Sequence, residues 1–165
     1  MKGLKTKPEH QEKMQETALN LLSDLGFSKK EDSLPPKKLC SHSIVIIEDD
    51  VVSAKIVEKF LDNLGYDTMT FHHPVKALNE IKLDEVCLMF IDLKLPEMNG
   101  LEFIEKIRET GTQIPTVVIT GYTKKDIVKK ALQMKIQSIL TKPTDLKRVG
   151  TLAETYAERA KRDST

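Results

Sequence analysis

Six apolar residues, Val86, Cys87, Leu88, Met89, Phe90 and Ile91, run without a polar break and stop on Asp92. A run this short suits a strand buried on both faces better than a helix. Residues 96–100, Pro-Glu-Met-Asn-Gly, then carry turn chemistry. A carboxylate therefore sits where a buried strand reaches the surface, and open α/β sheets bind their ligands at such strand ends. Taken alone, the stretch is explained equally well by a strand that ends on a turn-forming aspartate. The rest of the chain decides between the two.

From residue 43 onward the sequence alternates between strand and helix texture. Residues 44–47 read as a buried strand. Residues 51–64 read as a helix with Val57, Leu61 and Leu64 inward and Gly65 as its stop. Period-two alternation over 66–71 predicts a strand nearer an edge. Pro74 opens a short helix through Val75, Leu78 and Ile81. After the 86–91 strand, Leu101, Ile104 and Ile107 mark a helix that ends by Gly111. Residues 115–119 are the next buried strand, and 124–134 a helix with Ile127, Val128, Ala131 and Leu132 on one face. Residues 136–140 are the last strand, and 145–162 the closing helix, packed through Leu146, Val149, Leu152, Ala153 and Tyr156. Five strands and five helices in strict alternation call for a parallel sheet with helices on both faces. Right-handed crossovers leave few topologies, and the doubly wound, flavodoxin-like order 2-1-3-4-5 is the one expected for five strands.

Residues 1–42 differ. They hold few large apolar residues, and are expected to form an N-terminal extension to a domain over 43–162, with 163–165 as a tail. Within the extension, Met14, Ala18, Leu21, Leu22 and Leu25 fall on one helical stripe, so 8–25 reads as a helix. Residues 28–38, with Pro35-Pro36, read as a linker. The net charge of +1 gives no global field toward nucleic acid or a membrane surface. The opening residues lack the apolar core of a signal peptide, and no run approaches the ~20 apolar residues of a membrane span. Only Cys40 and Cys87 are present, which fits reduced thiols and a cytoplasmic home.

The chemistry gathers at the strand ends. The first strand runs into Glu48-Asp49-Asp50, the third into Asp92 and the fourth into Thr120-Gly121, and Thr141-Lys142-Pro143 follows the fifth. In a parallel sheet these ends share one edge, so Glu48, Asp49, Asp92, Thr120 and Lys142 should converge. Clustered carboxylates raise one another's pKa values unless a cation joins them. Mg²⁺ suits such a site, with one or two carboxylates, waters and a phosphate oxygen. Each piece alone has a plainer reading. The acidic run could cap the next helix, Thr120 could cap another, and Lys142-Pro143 could be a surface turn. The ordered combination, each member at a strand end, is harder to explain that way.

With Ile-Val-Ile-Ile-Glu-Asp-Asp, Phe-Ile-Asp-Leu-Lys-Leu-Pro-Glu-Met-Asn-Gly, Val-Val-Ile-Thr-Gly and Leu-Thr-Lys-Pro in that order, residues 43–162 resemble the receiver domain of two-component response regulators. The resemblance implies that Asp92 is the phosphoacceptor. It implies that Asp49 binds Mg²⁺ directly, that Glu48 helps through water, and that Asp92 and the backbone carbonyl of Lys94 complete the protein ligands. Thr120 would hydrogen-bond the phosphoryl group, and Lys142 would pair first with Asp92 and then with a phosphoryl oxygen. The Lys142–Pro143 bond is expected to be cis. Such a domain is no conventional enzyme, but it catalyses its own Mg²⁺-dependent phosphorylation and dephosphorylation. The partners implied are a sensor histidine kinase or histidine phosphotransfer protein and a downstream protein target, with a homodimer also open and neither nucleic acid nor membrane expected.

The chain also departs from the family pattern. Ile139 stands where relatives carry an aromatic residue in the last strand, which puts the usual output switch in doubt. Lys94 is charged where smaller polar residues are also common. Because nothing follows residue 162 that could form a DNA-binding domain, output is expected through protein contact or onward phosphotransfer. The alternative is a degenerate receiver that only binds proteins; the intact acidic pair, Asp92 and Lys142 argue against it. A dinucleotide or P-loop site would need a glycine-rich loop after the first strand, where Glu-Asp-Asp-Val-Val-Ser stands instead. A haloacid-dehalogenase-type phosphatase would need Asp-x-Asp there, which is absent.

Overall fold

The computed structural model describes residues 42–122 and 124–163. The helix expected over 8–25 and the linker over 28–38 lie outside the described residues. Five strands form one parallel sheet: β1 (Ser43–Ile47), β2 (Thr68–Phe71), β3 (Val86–Ile91), β4 (Thr116–Thr120) and β5 (Ser138–Thr141), in the order β2-β1-β3-β4-β5. They alternate with α1 (Val51–Asn63), α2 (Pro74–Glu80), α3 (Gly100–Glu109), α4 (Lys125–Gln133) and α5 (Leu146–Asp163). A 3-10 turn, Leu83–Glu85, leads into β3. The expected α/β topology is the one observed.

The central strand β3 is buried at all six positions, which explains its unbroken apolar sequence. Alternate residues serve opposite faces of the sheet. Val45, Ile47, Met89, Ile91 and Val118 pack in one core with Ala77 of α2, Leu101 and Ile104 of α3, and Ala131 of α4. On α1, Ala54, Val57, Phe60 and Leu61 are buried, and on α5 Val149, Ala153 and Ala157. These two helices pack on each other. At Gly150 a Cβ would lie 3.2 Å from the Phe60 ring, so the missing side chain sets their close approach. Only partial burial reaches β2, as its edge position requires.

Several details differ from the sequence reading; β2 begins at Thr68 rather than at residue 66. Leu64 is 38% exposed, not inward, and Leu132, expected on one face with the buried Ala131, is 64% exposed. Leu64 has already left the helix, as the C-cap of α1. Leu132 lies on the flank of a helix whose only fully buried side chain is Ala131. The last strand begins at Ser138, two residues later than periodicity suggests. Lys135 adopts a left-handed φ of 55° as the chain leaves α4, and the Gln137 side chain accepts the Thr116 backbone N–H. Residues 135 and 136 therefore turn the chain, and backbone pairing with β4 begins with the Gln137 N–H to Thr116 carbonyl bond (3.0 Å).

Candidate functional site

The sheet ladder itself assembles the site. At the C-terminal edge, the Glu48 N–H donates to the Phe71 carbonyl (3.0 Å), the Asp92 N–H to the Ile47 carbonyl (2.9 Å), and the Lys142 N–H to the Thr120 carbonyl (3.1 Å). Each bond continues a strand pairing by one residue, and so fixes a functional residue beside its neighbour. Asp50 then accepts the Ser53 N–H through its carboxylate (2.7 Å) and caps α1. The capping reading of the acidic run is therefore correct for Asp50, while Glu48 and Asp49 turn toward Asp92. The Glu48, Asp49 and Asp92 carboxylates each offer an oxygen within 4.8 Å of the others.

Lys142 reaches into this cluster. Its Nζ lies 2.7 Å from Asp92 Oδ2 and 2.5 Å from Glu48 Oε2. Asp92 Oδ1 accepts the Lys94 N–H (3.0 Å), and Glu48 Oε1 accepts the Asp50 N–H (3.2 Å). Burial pushes the Glu48 carboxyl above its ordinary value, and the hydrogen bond from Lys142 offsets this only in part. For Lys142, burial acts to lower the ammonium pKa, but the bonds to Asp92 and Glu48 outweigh it and hold it above the ordinary lysine value. One cation thus pairs with two buried carboxylates, and a third, that of the exposed Asp49, lies beside them. A cluster of this charge, with oxygen donors alone, could hold a hard divalent metal ion.

Thr120 is buried at the end of β4. Its Oγ1 accepts the Tyr122 N–H (3.1 Å), which leaves the hydroxyl proton to donate elsewhere. A Cβ at Gly121 would meet nothing within 4 Å, so the adjacent loop is open. Lys94, on the loop after β3, is exposed. The Lys142–Pro143 peptide is cis, as expected. On β5, Ile139 pairs in register with Val118 and packs against the core, so an aliphatic side chain fills the expected aromatic position.

Two residues of the site were not singled out by the sequence reading. Gly100 opens α3 under the Asn99 cap, and a Cβ there would lie 2.3 Å from the Asp92 carbonyl oxygen and 2.9 Å from Leu93 Cα. The signal for it was an Asn-Gly pair ahead of a helix, read only as turn chemistry. The other is His72, whose Nδ1 lies 2.8 Å from the Glu48 carbonyl. No motif marks it.

Comparison with known proteins agrees with this geometry. The family model of the response regulator receiver domain matches residues 44–154. The "Sensor histidine kinase RcsC" of Salmonella typhi is 26% identical over 119 residues, covering 72% of this chain and 13% of that protein. The "Regulator of RpoS" of Escherichia coli K12 is 33% identical over 112 residues, covering 67% of this chain and 33% of that protein. The chain thus spans a third or less of the length of these curated relatives. A CheY-like receiver domain from Methanospirillum hungatei shares the fold, with a TM-score of 0.66 at 20% identity over 74% of this chain and 98% of that one. So does the receiver domain of a Luxo repressor protein from Vibrio parahaemolyticus, with a TM-score of 0.67 at 22% identity over 79% and 96%. With the family match spanning four of the five strands and four of the five helices in full, and all of β1 but its first residue, this chain belongs to the response regulator receiver domain family of two-component systems.

Proposed function

We propose that the domain accepts a phosphoryl group onto Asp92 from a phosphohistidine on a sensor kinase or histidine phosphotransfer protein. The observation that carries this reading is the cluster of Glu48, Asp49 and Asp92 carboxylates around a single ammonium, Lys142. An Asp92 oxygen attacks phosphorus, an O–P bond forms, the P–N bond breaks, and the imidazole leaves with the electron pair. Phosphoryl transfer asks little covalent help of the protein beyond alignment and charge neutralisation. Lys142 Nζ, already 2.7 Å from Asp92 Oδ2, transfers its contact to a phosphoryl oxygen. The Thr120 hydroxyl donates to another. Later a water displaces the phosphoryl group from Asp92, so the domain acts on itself and is not a conventional enzyme.

Asp49, Asp92 and the Lys94 carbonyl would hold Mg²⁺ directly, with Glu48 acting through water. Support comes from Asp49 being exposed, with a carboxylate oxygen within 4.8 Å of those of Glu48 and Asp92. When bound, the ion neutralises the carboxylates and the oxygens of the incoming phosphoryl group. Output passes by contact with a downstream protein, by a homodimer, or by onward phosphotransfer. A cytoplasmic setting goes with this reading. Among the described residues no helix is long and apolar enough to cross a membrane, and the buried Cys87 Sγ lies 3.5 Å from the Ser43 carbonyl oxygen.

Asp49→Ala tests the metal arm. The side chain is exposed, so the fold is expected to remain. Calorimetric titration with Mg²⁺ is expected to show affinity reduced by roughly 100-fold, since a carboxylate is lost from a site with few protein ligands. Unchanged affinity would remove Asp49 from the site.

A further inference from the structure

The edge strand β2 gives no carboxylate to the cluster, yet its C-terminal end reaches the turn that carries two of them. The last rung of the β1–β2 ladder is the Glu48 N–H to Phe71 carbonyl bond. One residue further, the half-buried His72 ring approaches the Glu48 carbonyl at 2.8 Å through Nδ1. A carbonyl oxygen only accepts, so Nδ1 carries the proton in this contact. Neutral and charged imidazole both keep that proton in the Nδ1–H form, so the contact does not depend on which is present.

That carbonyl belongs to the peptide joining Glu48 to Asp49. The peptide is planar, so fixing its oxygen fixes the direction in which the chain leaves Glu48 and enters Asp49. Building on the metal site proposed above, we infer that His72 is a positioning residue for the acidic turn. Its N–H holds the Glu48–Asp49 peptide so that both carboxylates face Asp92. Neighbouring His73 makes a contrasting contact. Its Nδ1 lies 3.4 Å from Glu97 Oε1 on the loop after β3, but the two side chains are 61% and 50% exposed. A pair so open to water is worth little.

The test is calorimetric Mg²⁺ titration of the full chain in five forms: unaltered, Asp49→Ala, His72→Ala, His72→Asn and His73→Ala. Removing a group that orients ligands costs metal affinity without removing a ligand, so His72→Ala is expected to bind about tenfold more weakly. In His72→Asn the amide N–H reaches about the same point as Nδ1, and affinity is expected to recover to within about threefold of the unaltered chain. His73→Ala is expected to change affinity by less than about twofold. Thermal unfolding in chelator, run beside the titrations, is expected to leave the midpoint of His72→Asn unchanged. His72→Ala binding as tightly as the unaltered chain would overturn the inference. So would His72→Asn falling as far as His72→Ala, because the N–H would then not be the operative group. Unchanged affinity in Asp49→Ala would instead overturn the metal site itself, and the His72 inference with it.

Discussion

Gly100→Ala lowers the thermal unfolding midpoint by roughly 10 °C, the expected result of placing a methyl group where backbone already stands. The added Cβ would lie 2.3 Å from the Asp92 carbonyl oxygen and 2.9 Å from Leu93 Cα. Neither atom is the end of a flexible side chain. The Gly100 N–H also donates to the Leu93 carbonyl at 3.0 Å, so the two segments cannot part without losing that bond. Overpacking against backbone costs about 3 kcal/mol. For a domain of this size each kcal/mol shifts the midpoint by about 3–4 °C. The shift in Asp92 and Leu93 should also degrade the site, so Mg²⁺ affinity falls together with stability. Differential scanning calorimetry with and without Mg²⁺ checks both. A variant as stable as the unaltered chain would mean that α3 does not press on the Asp92 backbone as described.

Lys142→Met is expected to destabilise the metal-free domain by about 3 kcal/mol at neutral pH, because it leaves two buried carboxylates facing each other without their cation. Methionine keeps the apolar stem, so the loss reports charge rather than packing. The sign of the pH dependence follows from the two displaced pKa values. Lys142 is held above the ordinary lysine value, so its contribution is complete at neutral pH and is lost as pH rises through that raised value. Glu48 is also raised, so its proton favours the folded state, and that stability is lost as pH rises through its folded value. Without Lys142 the Glu48 value goes higher still. The deficit of the variant should therefore be largest near neutrality and shrink both in alkaline buffer, where Lys142 is itself neutral, and in acid, where Glu48 is protonated. Urea unfolding in chelator across the three ranges measures this. Added Mg²⁺ should restore more stability to the variant than it adds to the unaltered domain, since it replaces the missing charge. A deficit that does not vary with pH would point to lost packing instead.

Much of the fold was legible because the sheet is parallel and buried. Buried strands announce themselves by composition, and β3 was read with its bounds intact because both its faces are covered. The alternation of strand and helix then fixed the topology through the handedness of crossovers. Less legible were positions where a neighbour decides. Leu132 follows Ala131 in sequence but lies about 100° round the helix from it, and only Ala131 is fully covered. The start of β5 depends on the left-handed Lys135 and on the Gln137 side chain, neither of which leaves a periodic trace.

The site divides in the same way. Glu48, Asp49, Asp92, Thr120 and Lys142 could be found because each stands at the end of a strand, and a parallel sheet brings such ends together. Gly100 and His72 could not be given their roles. What matters about each is a contact with a backbone oxygen, Asp92 for one and Glu48 for the other. A side-chain motif records residues that share chemistry, and a backbone oxygen contributes no letter to it.

The central claim is that Asp92 takes up a phosphoryl group, and the mass of the intact protein after incubation with acetyl phosphate and Mg²⁺ tests it most directly. The expected result is a single added phosphoryl group on the unaltered chain, absent with chelator and absent from Asp92→Asn. No adduct on the unaltered chain, or the same adduct on Asp92→Asn, would contradict it.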